Sequence, residues 1–266
     1  MTILEEIISE KKKEVAEQKK HTPLSHLEKS MFFSRETLSL SQFLKDPAKT
    51  GIIAEFKRES PSKGVINSLA DVRYVTTGYA DEGASGLSVL TDNKFFGGNI
   101  DDLMIACKFN SIPVLRKEFI IDEFQVVESK ASGADAILLL ASALENEQIV
   151  RFARLSHSLG MEVILEVHSI SEVDMINEYI DIIGVNNRDL RTFSVDLNIS
   201  LKIAEIIPGQ FLKISESGIS SPSTFRYLRQ AGYDGFLIGE HFMKTEDPVL
   251  AFSSFINEIK SGNVKD

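Results

Sequence analysis

The sequence predicts an α/β fold: a closed (βα)8 barrel of the TIM type carrying an N-terminal helical extension. Three observations predict it. Eight short runs rich in Ile, Val and Leu recur from Gly51 onward: IIAEF, GLSVL, IPVLR, ADAILLL, EVILEV, DIIGV, FLKIS and GFLIG. They recur every roughly 20 to 35 residues, the length of one strand, one helix and two loops. Charged and amide side chains gather where these runs end. An open doubly wound sheet shares the alternation. The count of eight, and the lack of a GxGxxG after the first run, favour the closed barrel.

Each segment follows from its pattern. In MTILEEIISEKKKEVAEQKK, residues Ile3, Leu4, Ile7, Ile8 and Val15 share one side of a helix, with Glu and Lys opposite. The basic run KKKEVAEQKK is interspersed with Glu and reads as a solvated face. Residues 21–50 mix Pro, Ser, Phe and charge, a pattern of short helices and loops. Residues 1–50 therefore form the extension and residues 51–266 the barrel, one structural domain overall, with no break in composition between units. Near-continuous apolar strands suit a parallel sheet covered on both faces. The stretches DEFQVVESKASG, EQIVRFARLSHSLG and SPSTFRYLRQAG read as helices, each ending in a helix-stopping Gly.

Composition limits the function classes. The chain has 266 residues, 43% hydrophobic and 26% charged, enough to bury a core without staples. A net charge of −10 argues against nucleic acid as a partner, though a local cluster of cations and N–H groups can still hold a small anion. No apolar run approaches the roughly 20 residues that span a bilayer, and the charged N-terminus lacks a signal-peptide core. The single cysteine, Cys107, allows no internal disulfide and reads as a small buried hydrophobe in a reducing compartment. A cytoplasmic location is expected. His21, His26, His157, His168 and His241 show no metal-ligand spacing, and there is no P-loop or GxSxG elbow. No metal is expected.

Chemistry in such a barrel sits at the carboxyl ends of the strands. The first run ends in Glu55 and Lys57, which share one face of the pleat, and the third in Arg116-Lys117-Glu118. The fifth ends in Glu166 and His168, the sixth in Asn186-Asn187-Arg188, the seventh in Glu216-Ser217-Gly218, the eighth in Gly239-Glu240. Glu118 and Asp189 read as solvated rim residues, and His168 as a supporting or rim group. Lys57 and Lys117 can supply protons or hold anions, and Glu166, ending an apolar strand, is the candidate base. Asn186 offers donor and acceptor without charge. The loops SESGISSP and LIGEHFM, with Gly218 and Gly239, sit where such barrels bind phosphate. The turn Ser60-Pro61-Ser62-Lys63-Gly64 is either a rigid turn or a flap over a ligand.

The segments IIAEFKRESPSKG, LSVLTDNKFFGG, VLRKEFIID, LEVH, IGVNNRDL, SESGI and FLIGE, in this order, resemble the signatures of the indole-3-glycerol phosphate synthase family. The resemblance runs from the first helix almost to the C-terminus. It implies a (βα)8 barrel whose N-terminal segment helps cap the site. It implies ring closure, decarboxylation and dehydration of 1-(2-carboxyphenylamino)-1-deoxyribulose 5-phosphate, without metal or organic cofactor. On the matching positions, Lys117 is expected to protonate the substrate ketone and Glu166 to act as base or acid in the dehydration. Lys57 would contact the anionic substrate and give a proton to the departing hydroxyl. Glu55 and Asn186 would position Lys117 and the substrate hydroxyls, with Glu216 and Ser217 on the ribulose side. Arg188 would lie near the anthranilate carboxylate. Gly218, Gly239 and the backbone of Glu240 would hold phosphate, helped by Ser60. Phe96, Phe119 and Leu90 would wall the aromatic ring.

Two departures stand out: Ser215 where many members have Ala, and Glu240-His241 where smaller residues are usual. A carboxylate beside a phosphate repels it, so the Glu240 side chain is expected to turn away. Nothing resembles the isomerase barrel sometimes fused to this enzyme, so a monofunctional monomer is expected. Two other readings fit a barrel. A phosphoribosylanthranilate isomerase needs a Cys and Asp pair at strand ends, and Cys107 falls in a helix. A catalytically silent binding barrel predicts loss of Lys117, Glu166 or Lys57, and all three are present.

Overall fold

A computed structural model describes residues 2–261 of the chain. Eight strands form a closed parallel barrel: β1 Ile52–Phe56, β2 Gly86–Leu90, β3 Val114–Lys117, β4 Ala136–Leu140, β5 Glu162–Val167, β6 Ile182–Asn186, β7 Leu212–Glu216 and β8 Gly235–Ile238. Each pairs with the next in sequence, and β8 closes on β1. Residues of one parity, among them Ile53, Leu115, Leu138, Ile164, Ile214 and Leu237, pack together as the barrel interior. Their neighbours Ile52, Ala54, Val89, Ile137, Val163 and Ile183 pack into the larger outer cluster with the helices. This alternation is the two-residue period of a strand. It sends Arg116 outward, to Glu128 at 2.7 Å, and Lys117 inward.

Three strands run one residue beyond the apolar runs that mark them. β3 ends on Lys117, β6 on Asn186 and β7 on Glu216, so each of these side chains is held by the sheet rather than by a loop. Register aligns Leu90 with Lys117, Leu140 with Glu166 and Asn186 with Glu216, which places them at one rim. The helical stretches after β3, β4 and β7 are Glu123–Ala131, Asn146–Ser158 and Pro222–Gln230. The link from β5 to β6 carries the 3-10 helix Ile170–Met175 in place of an α-helix.

The N-terminal segment closes both ends of the barrel. Leu40 and Leu44, in the helix Leu40–Lys45, join the interior cluster at its base. A Cβ on Gly86 would collide with Leu40, and one on Gly235 with Leu44, so the first residues of β2 and β8 are glycine for space. The helix Ile3–His21, started by a Thr2–Glu5 capping box, crosses the opposite end. One residue of its basic run is not solvated. Lys11 is 5% exposed and places its ammonium 2.8 Å from Asp92 and 3.2 Å from Glu118. This also corrects the rim reading of Glu118, which is 4% exposed and accepts a 2.7 Å hydrogen bond from the Thr91 hydroxyl. Asp189 does stay at the surface, paired with Arg191 at 3.0 Å. Cys107 is buried in the helix Ile100–Phe109, where burial pushes its thiol pKa up.

Candidate active site

The carboxyl ends of the strands surround a cavity of about 480 Å³. Lys117 is its centre of charge. Its ammonium donates to Glu166 at 2.5 Å and to Glu216 at 3.0 Å. Both carboxylates are buried and Lys117 is mostly buried. Burial works against the Lys117 charge, but Glu166, Glu216 and Glu55 outweigh it and hold the amine well above the ordinary lysine range. Burial likewise favours a protonated Glu166; the Lys117 charge and His168 override it and keep this carboxylate ionised. Glu216 goes the other way. Burial raises its carboxyl, Lys117 only partly offsets this, and the Glu166 charge helps bring it to about 7. One ammonium between two carboxylates thus leaves one firmly ionised and one poised to titrate near neutrality.

The other strand ends orient this centre. The Asn186 amide donates to Glu166 at 2.9 Å, and its oxygen accepts from the Arg188 backbone N–H at 3.0 Å, which fixes the amide's direction. Lys57 donates to Glu55 at 2.6 Å, so both side chains of the shared face of β1 and its extension reach the mouth. Glu55 also packs against Gly239: a Cβ there would lie 2.5 Å from its Oε1. At the end of β7, Ser217 has φ 67° and Gly218 φ 77°. The strained turn at Ser217 is held by Asn187, whose amide donates to the carbonyls of Glu216 and Ser217 at 3.0 and 3.1 Å.

The structure brings every sequence-derived site residue to this one cavity. Phe96 and Phe119 sit with ring centroids 5.9 Å apart and, with Leu90, form an apolar wall. The hairpin of Glu59–Ser60 against Gly64–Val65 brings Ser60, Ser62 and Lys63 over the mouth. Gly218, Gly239 and Glu240 also line the cavity, where the first turn of Glu240–Met243 leaves backbone N–H groups without helical partners. The Glu240 carboxylate does not stand free: it meets Arg188 at 3.2 Å and Lys63 at 3.6 Å. Among the described residues no group of three or more His, Cys, Asp or Glu side chains is arranged to hold a metal ion.

Sequence reasoning named His168 as a supporting or rim group and the N-terminal segment as a cap, but it did not give their contacts, and it missed Gly184. Ile3, Leu4 and Ile7 put the N-terminal helix directly on the cavity, although their helical stripe was visible. His168 places Nε2 3.2 Å from Glu166 and Nδ1 3.6 Å from Glu172. Gly184, one layer below Asn186, is a glycine because a Cβ would strike the Glu216 carboxylate. That signal was a lone Gly inside an apolar strand.

The model of the indole-3-glycerol phosphate synthase family matches residues 4–255. The chain belongs to the indole-3-glycerol phosphate synthase family. Family members named as indole-3-glycerol phosphate synthases include one from Bacteroides thetaiotaomicron, 45% identical over 97% of this chain and 99% of that one. Another, from Salinibacter ruber, is 42% identical over 95% and 94% of the two chains. One from Thermoanaerobacter pseudethanolicus is 40% identical over 98% and 99%. The synthase-family barrel also resembles the crystal structure of 3-hexulose-6-phosphate synthase from Salmonella typhimurium, with a TM-score of 0.62, 14% identity, and 80% and 100% of the two chains covered. At that identity the likeness speaks for the barrel alone.

Proposed function

We propose that this chain is an indole-3-glycerol phosphate synthase, converting 1-(2-carboxyphenylamino)-1-deoxyribulose 5-phosphate into indole-3-glycerol phosphate, CO2 and water in tryptophan biosynthesis. The observation that carries the reading is the Lys117 ammonium held between Glu166 and Glu216, beside an aromatic wall and facing the loops after β7 and β8.

The chemistry asks for these groups. The ring carbon bearing the carboxylate attacks the ketone carbon, and negative charge develops on the ketone oxygen. Lys117 stabilises that charge and gives it a proton, forming the alcohol. The developing alkoxide is a far stronger base than an amine, so transfer runs downhill even from an ammonium of raised pKa. CO2 then leaves, and the electrons of its bond return to the ring and neutralise the iminium nitrogen. Finally the hydroxyl departs as water with a proton from Lys57, while Glu166 takes one proton from the adjacent CH2, leaving the indole.

Binding uses the rest of the cavity. Phe96, Phe119 and Leu90 take the aromatic ring, and Arg188 takes its carboxylate. Gly218, Gly239 and the Glu240 N–H take the phosphate, with Ser60 from the hairpin. Glu216 Oε1, buried and without a hydrogen-bond partner among the described residues, accepts a hydroxyl of the ribulose chain, next to Ser217. Glu55 and Asn186 keep Lys57 and Glu166 in place. The reading calls for no cofactor, and it places the reaction in the cytoplasm on a monomer. No described helix is long and apolar enough to cross a membrane.

The test is direct. Purified protein mixed with the carboxyphenylamino deoxyribulose phosphate should develop indole absorbance and fluorescence. A protein that binds this compound and forms no indole overturns the proposal.

A further inference from the structure

Arg188 is held through both its side chain and its backbone. Its Nη1 donates to the Phe193 carbonyl at 3.3 Å, and its backbone N–H to Asn186 at 3.0 Å. Its Nη2 meets Glu240 Oε2 at 3.2 Å, while Glu240 Oε1 faces Lys63 on the hairpin at 3.6 Å. Arg188 is four-fifths buried and Glu240 about two-thirds. A carboxylate of the chain therefore occupies the outward face of the guanidinium, in the cavity where the proposed substrate must place its own.

We infer that Glu240 is a specificity-determining residue, an internal competitor that holds Arg188 until a ligand carboxylate displaces it and takes it back once that carboxylate is gone. The inference rests on the proposed function. The asymmetry follows from the reaction: the substrate carries a ring carboxylate, and the product has lost it as CO2. A substrate must break the Arg188–Glu240 pair to gain Arg188, and Lys63 remains to receive the released Glu240 carboxylate. A product leaves the pair intact and gains nothing from Arg188. A partly buried guanidinium is never left without an anion in either state, which avoids the cost of an unpaired buried charge. The competitor weakens the bound substrate and leaves product affinity untouched, so it narrows the affinity gap that the carboxylate would otherwise create.

The experiment compares two probes in wild-type protein and in Glu240→Gln, which keeps the shape and removes the charge. One probe is the substrate with its ketone reduced to an alcohol. The other is the same compound without the ring carboxylate. Dissociation constants come from titration calorimetry. Glu240→Gln should bind the carboxylate-bearing probe about 2- to 5-fold tighter, the upper part of the range of a partly exposed ion pair, and should shift the other probe by less than about 1.5-fold. Equal tightening of both probes overturns the inference, because Glu240 then only repels phosphate. Weaker binding of the carboxylate probe, or no change, overturns it as well. Binding of neither probe by either protein overturns the proposed function and this inference with it.

Discussion

The Lys117 ammonium lies 2.5 Å from the Glu166 carboxylate although 49 residues separate them in the chain. The barrel closes that gap by register: each residue ends or nearly ends its strand on the inward face of the same rim. Lys117 is the group whose removal the proposed chemistry tolerates least. Lys117→Ala should lower the rate of indole formation by about 10³-fold or more, the loss of a general acid that also stabilises the oxyanion. Its melting transition should stay cooperative, because one of the two facing carboxyls can protonate. Fluorescence kinetics and circular dichroism on the same sample check both halves. Near-normal turnover would remove Lys117 from its role.

Glu216 gives a pH-dependent stability. Burial, with help from the Glu166 charge and against the pull of the Lys117 ammonium, raises its carboxyl to about 7, above an unfolded value near 4.3. A raised carboxyl contributes stability fully present below the unfolded pKa and lost as pH rises through the folded one. Above pH 7 the fold thus bears the cost of an ionised Glu216. Glu216→Gln should melt about 2–4 °C higher than wild type at pH 8.5, the effect of about 1 kcal/mol in a chain of this size, and the gap should narrow as pH falls below 7 and close only near pH 4. Scanning calorimetry at the two pH values decides it. The same variant should lose activity, a trade of site chemistry for stability.

Much of this site was legible because a strand alternates strictly. Glu55 and Lys57 share a parity, so a buried strand that ends in both must deliver both to one mouth. The lone charges were harder. Glu118 follows Lys117 and looks like rim, and Lys11 sits in a run of solvated lysines. They are buried because they pair with each other and with Asp92 across 81 to 107 positions of chain, a contact with no local pattern. His168 carried a visible position and no visible partner. Gly184 hid among ordinary strand glycines until the Glu216 carboxylate appeared beside it.

Lys11 ties the N-terminal helix to the loops that hold Phe96 and Phe119. Its ammonium serves Asp92, Glu118 and Glu14 together. Lys11→Met takes the cation from buried Asp92 and leaves Glu118 with Arg116 at 3.8 Å, a cost of about 3–5 kcal/mol for breaking such a pair. The helix carrying Ile3, Leu4 and Ile7 should then detach locally before the barrel unfolds. KM should rise several-fold more than kcat falls, and amides of Ile3–His21 should exchange faster while those of the barrel strands hold. Uniformly faster exchange would show Lys11 to be a general stabiliser with no lid function.

Gly184→Ala tests the packing beneath the proposed catalytic layer. The new methyl would press on the Glu216 carboxylate and lie 3.1 Å from Ile164 Cγ2. Both neighbours are barrel residues with little room to move, so Glu216 has to shift away from Lys117. A displacement near 1 Å is enough to cost about 10²-fold in rate. The loss should fall mainly on kcat, because the proposed phosphate loops and the aromatic wall are built from other residues of the cavity. Steady-state kinetics separate the two constants, and an unchanged kcat would show that Glu216 tolerates the shift.

His168 is the last lever on Glu166. Burial disfavours its charge, but Glu166 at 3.2 Å and Glu172 at 3.6 Å raise its imidazole to about 10. A raised imidazole contributes stability fully present below its unfolded pKa near 6.5 and lost as pH rises through 10. His168→Gln should therefore destabilise most at pH 6 and progressively less toward pH 10. A side chain that only fills space would cost the same at every pH. Removing this cation also removes one of the two cations that keep Glu166 ionised, the other being Lys117. The acidic limb of the kcat/KM profile should move to higher pH in His168→Gln, while KM at pH 8 stays close to wild type. A profile that falls uniformly without moving its limb would place the effect of His168 in packing rather than in the charge of Glu166.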